Sequence, residues 1–127
     1  MTSDELKRRT KQFALRVMKL LDALPNTTAG RAIGNQLIRS GTSVGANYRA
    51  ACCGRSKAEF AAKMGTVAEE ADESCFWLEL MVEGELLSER LVKPLLDEAN
   101  ELTAIFTASA KTTRLSNQQS KIENRKS

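Results

Sequence analysis

Cys53-Gly54-Arg55-Ser56-Lys57-Ala58-Glu59-Phe60 decides the fold of this chain. Cys53-Gly54-Arg55 reads as a helix stop, because glycine is the residue most often found just past a helix C-terminus. Ser56 followed three residues later by Glu59 is a capping box, in which hydroxyl and carboxylate each satisfy a backbone amide at a helix start. One helix therefore ends and the next begins within a few residues. Connections that short favour antiparallel neighbours.

Apolar periodicity extends outward from this boundary in both directions. Upstream, Ile33, Leu37, Val44, Tyr48 and Ala51 fall within about 60° of one another when each residue advances about 100°, so Thr28 is expected to cap a long second helix. Gly30, Gly34, Gly41 and Gly45 lie within it, each costing about 1 kcal/mol relative to alanine. The phase of the apolar face carries through them, so one continuous helix is expected, its small residues letting a neighbour approach closely. Downstream, Phe60, Met64, Val67, Ala71, Cys75, Leu78 and Val82 mark the core stripe of a third helix that Gly84 terminates.

A first helix capped by Ser3 carries Leu6, Phe13, Val17, Leu20, Leu21 and Leu24, and the run from Leu24 to Thr28 closes it. Ser88 is expected to cap a fourth, with Leu91, Leu95, Leu102, Ile105 and Phe106 inward and Pro94 distorting its first turn. From Thr112 onward apolar periodicity is lost, and residues 112–127 are expected to be a disordered tail. The predicted fold is all-α: an antiparallel up-down four-helix bundle over residues 1–111.

Composition agrees with helices and limits the chemistry. The 127 residues fit one domain, 42% are hydrophobic, and only 5% are aromatic. The charged N-terminus and the lack of a long apolar run predict a soluble, cytoplasmic protein with no membrane partner. Cys52, Cys53 and Cys75 show no Cys-x-x-Cys spacing and read as reduced thiols. Histidine is absent, which removes His-based triads and the usual general base at neutral pH. Glu69, Glu70, Asp72 and Glu73 have i, i+3 spacing, but bundle metal sites of that kind use Glu-x-x-His motifs. Ser40, Ser43 and the cysteines lack a partner base. No catalytic residue, metal site or cofactor is nominated, and the chain is read as a non-enzyme.

Charge is unevenly placed despite a net value of +3. Between Asp22 and Glu59 there is no acid, while Arg31, Arg39, Arg49, Arg55 and Lys57 are all basic. Arg31, Asn35, Arg39, Thr42 and Arg49 lie within about 80° opposite the apolar stripe and form a basic ridge. With Arg55 and Lys57 beyond it, the ridge is the candidate surface for RNA or DNA, binding phosphates in a salt-dependent way. The same residues also read as a solvated face, or as partners of the acidic third helix. Lys7, Arg8, Lys11 and Lys19 add bases on the first helix, and no aromatic platform interleaves the basic residues. Phe76, Trp77 and Leu80 project among the acids of the third helix, a pattern that marks an oligomer interface or an inward turn of that helix end. A protein-protein module with no nucleic-acid role is the alternative function. Asn47, at the apolar edge of the second helix, reads as a buried polar residue fixing register.

Leu24-Pro25, Arg31, Gln36-Leu37-Ile38-Arg39-Ser40, Ser43-Val44, Ala46-Asn47, Arg55-Ser56-Lys57-Ala58-Glu59-Phe60, Glu70-Ala71 and Glu73-Ser74 together resemble the four-helix-bundle family encoded by intervening sequences in bacterial 23S ribosomal RNA genes. The resemblance spans Phe13 to Phe106. It implies an antiparallel bundle assembled into a ring-like homo-oligomer, commonly a pentamer, in the bacterial cytoplasm, with no established activity. A related bundle type serves reverse transcriptases as a nucleic-acid-binding accessory factor. Gly41, Gly45 and the run Arg49-Ala50-Ala51-Cys52-Cys53 depart from the common family pattern.

Overall fold

The computed structural model describes residues 1–126, which form four helices and no strand: α1 (Ser3–Leu21), α2 (Thr28–Cys52), α3 (Lys57–Glu83) and α4 (Glu89–Lys126). Ser56 caps α3 as its capping-box spacing requires, its hydroxyl accepting from the Glu59 amide at 3.1 Å. Two other caps lie one residue earlier than expected. Thr2, not Ser3, accepts from the Glu5 amide, and Glu5 answers with its carboxylate on the Thr2 amide. Thr27, not Thr28, accepts from Gly30 at 3.0 Å. Neighbouring hydroxyl residues offer two candidate caps, and the one left in extended geometry takes the role.

The buried positions alternate three and four residues apart, the rhythm of helices packed nearly parallel or antiparallel. They include Gly30, Gly34, Leu37, Gly41, Val44, Tyr48 and Ala51 on α2, where Ser40 and Gly45 are buried beside them, and Val92, Leu95, Ala99, Leu102 and Phe106 on α4. That rhythm corrects two expected core residues. Leu91 is 49% exposed, and the adjacent Val92 is fully buried in its place. On α3 the last core residue is Met81, with Val82 only half-buried.

α1 packs on α2, α2 on α3, α3 on α4, and α4 touches α1 sparingly. α1 and α2 run in opposite directions, since Gly34 faces Leu24, Gly41 faces Val17 and Gly45 faces Thr10. A methyl group at Gly41 would sit 2.9 Å from a Val17 methyl, and one at Gly45 would sit 3.2 Å from the Thr10 hydroxyl. The glycines thus set the close approach that their spacing predicts. α3 and α4 are also opposed, as Lys57 reaches Ser120 and Cys75 reaches Thr103. Across the centre Tyr48 packs on Phe106 with ring centroids 5.3 Å apart.

The segment from Thr112 is helical to Lys126, which corrects the expected tail; Ser127 lies outside the described residues. Thr113, Asn117 and Ser120 continue the inward rhythm of α4 as half-buried polar residues. Apolar periodicity vanishes there while helical periodicity persists, and no glycine or proline follows Pro94 to break it. Pro94 lies inside α4, whose first turn is capped by Ser88. No helix is long and apolar enough to cross a membrane among the described residues.

Candidate nucleic-acid interface

The nominated basic residues lie along α2 and the turn that follows it, but they line different grooves. Arg31 and Asn35 are exposed near the start of α2, where Arg31 donates to the Asn26 side-chain oxygen at 2.9 Å. Arg39 lies mid-helix near Glu70 of α3, and its positive charge opposes the burial and the Glu73 and Glu69 charges that push the Glu70 carboxyl upward. Arg49 sits near the far end. Arg31 and Arg49 are separated by about 27 Å along the helix, the rise of about eight phosphates on one strand of duplex DNA.

Arg49 joins a cluster that the sequence placed elsewhere. With Lys7, Arg8 and Lys11 of α1 it lines a groove of about 440 Å³ between α1 and α2, and no acid is among its lining residues. Thr10, Thr42, Gly45 and Ala46 also line it, and Gly45 is where α1 and α2 come close. Four cations around one groove raise the local positive potential more than the same charges spread along a helix. The sequence shows bases on both helices. It does not show that Lys7, Arg8 and Lys11 flank the side of α1 that meets Arg49.

Arg55 and Lys57 line a second groove, beneath α4, together with Thr112, Thr113 and Ser116. Lys57 donates to the Ser120 hydroxyl at 2.8 Å, so one of its donors is already engaged. The helical continuation of α4 therefore shapes this basic corner.

Of the nominated apolar patch, Phe76 is 51% exposed while Trp77 and Leu80 are half-buried. Trp77 meets Phe76 edge-on at 5.0 Å, donates its indole N–H to Glu73 at 3.2 Å, and packs against the core. Trp77 is thus a support for Phe76 more than a free surface group. Cys52 and Cys53 are exposed thiols, and burial pushes the Cys75 thiol upward. Asn47 does not take the expected register role, because it bonds within its own helix to the Ser43 carbonyl. Among the described residues no three His, Cys, Asp or Glu side chains gather as metal ligands would.

A profile described as 23S rRNA-intervening sequence protein matches residues 4–108 of the chain. A crystal structure of a protein of unknown function, from the S23 ribosomal protein family of Bacteroides thetaiotaomicron, is similar at 30% identity and a TM-score of 0.79. The alignment covers 87% of this chain and 99% of that one. No curated protein matches the chain.

Proposed function

The chain belongs to the 23S rRNA-intervening sequence protein family, and from that premise we propose that it is a non-catalytic, homo-oligomeric antiparallel bundle of the bacterial cytoplasm that binds structured RNA or DNA, or an enzyme acting on them. The groove formed by Lys7, Arg8, Lys11 and Arg49 is the observation that carries this reading. Arg31 and Asn35 extend the contact along the same helix, and Arg55 and Lys57 offer a further basic corner. The absence of histidine supports a binding role over catalysis. Assembly into a ring, with five copies as the expected number from the family resemblance, would repeat the groove around the particle and multiply weak phosphate contacts.

Fluorescence anisotropy with a labelled 23S rRNA hairpin tests the reading. Four phosphate contacts per site predict that log K falls against log salt with a slope of about −3 to −4. Replacing Lys11 and Arg49 by alanine should reduce that slope by about 2. Absence of binding at low salt would overturn the nucleic-acid role. The exposed Phe76, braced by Trp77, favours a second reading as a protein-protein module without nucleic acid.

A further inference from the structure

Two outer faces of the molecule are complementary in charge and alike in apolar content. From Lys7 to Lys19 α1 carries no acid and, besides Arg9, which α4 holds, five bases (Lys7, Arg8, Lys11, Arg16, Lys19); from Glu69 to Glu83 α3 carries no base and, besides the part-buried Glu70, five acids (Glu69, Asp72, Glu73, Glu79, Glu83). In the middle of the basic face Leu15 and Met18 are 48% and 52% exposed, one helical turn apart. Phe76, 51% exposed, stands among the acids. No Cα of α1 lies within 8 Å of one in α3. The two helices occupy a diagonal of the bundle with their core stripes turned inward, so these faces point in opposed directions and cannot meet within one chain.

Resting on the homo-oligomeric reading above, we infer that the Phe76 face of α3 in one copy docks on the Leu15–Met18 face of α1 in the next. An apolar centre with a charged rim is the usual anatomy of such a contact. Opposite charge on the two rims sets the register and disfavours pairing of like faces, α1 on α1 or α3 on α3. Trp77 holds Phe76 in place before docking, which lowers the ordering cost. Because the patches differ, the contact is head-to-tail, and each added copy presents a fresh face until a ring closes.

Sedimentation velocity on nuclease-treated protein tests the pairing with two variants, Leu15→Glu/Met18→Glu and Phe76→Lys. Each alters exposed residues only, and far-UV circular dichroism checks that helicity is kept. Each variant alone is expected to fall to the 14.0 kDa monomer. A 1:1 mixture should restore association beyond the monomer, since the intact α3 face of one variant then meets the intact α1 face of the other. Wild-type protein that is itself monomeric overturns this pairing and the homo-oligomeric reading together. An oligomer broken by Phe76→Lys but not by the α1 variant, or two monomeric variants whose mixture stays monomeric, overturns the pairing alone.

Discussion

Ser74 of α3 and Ser40 of α2 place their hydroxyl oxygens 2.9 Å apart, and both residues are buried between the two helices. Ser40 also donates to the Leu37 carbonyl, and Ser74 lies 2.9 Å from the Glu70 carbonyl. Buried hydroxyls are costly unless paired, so this pair favours one register of α2 against α3.

Replacing Ser40 or Ser74 singly by alanine should therefore cost about 1 kcal/mol, since the remaining hydroxyl loses its cross-helix partner. The double replacement should cost less than the sum of the two. Urea unfolding of all four proteins gives the coupling directly, and strict additivity would remove the role assigned to the pair.

Two glycines should respond to alanine in opposite ways. At Gly41 the new methyl lands 2.9 Å from Val17, so overpacking of about 1–3 kcal/mol outweighs the gain of about 1 kcal/mol in helix propensity. At Gly65 nothing lies within 4 Å, and the same change should stabilise by about 0.5–1 kcal/mol. Thermal melts of the two variants should shift in opposite directions.

Arg9 is the main polar tie between α1 and α4. It grips Glu98 through two nitrogens at 2.8 and 2.7 Å and reaches Glu101 at 2.9 Å, which pushes its already high pKa further upward. Arg9→Ala should cost about 1 kcal/mol, and Arg9→Lys should recover only part of it because an ammonium cannot reproduce the fork. Since α1 meets α4 sparingly, hydrogen exchange should accelerate first in α1.

Glu70 predicts a pH dependence. Burial, then the Glu73 and Glu69 charges, raise its carboxyl above the ordinary value of 4.5, and one of its oxygens is buried without a hydrogen bond. The folded protein therefore holds this proton more tightly than the unfolded chain. The resulting stabilisation is complete below pH 4.5 and is lost as pH rises through the folded value. Glu70→Gln should stabilise the protein at pH 7 and flatten this part of the stability profile. Urea midpoints across pH 4 to 8 that match the wild type would refute the assignment.

The readable parts of the candidate sites were those carried by near neighbours in the chain. Arg31, Asn35 and Arg49 were visible as exposed polar positions on one helix, and Phe76 as an apolar residue among acids. The groove itself was not readable. It depends on Lys7, Arg8 and Lys11 lying beside Arg49, and nothing within either helix states which flank the other helix covers. The register role expected of Asn47 falls instead to Ser40 for a similar reason. Both are polar residues near the α2 core edge, and only the position of Ser74 on α3 decides which one gains a partner.

The amino-acid sequence by itself determined four helices, their boundaries to within about three residues up to Ser88, and the segregation of basic from acidic helix faces. Caps, stops and apolar rhythm act over three or four residues, so each is written locally. Tertiary structure alone decided the rest. It made residues 112–126 a helix whose inward positions are small and polar, gathered four cations from two helices into one groove, and set the faces of α1 and α3 on opposite sides of the molecule. Those outcomes depend on which helix flanks meet, and that choice is made by burial summed over the whole bundle.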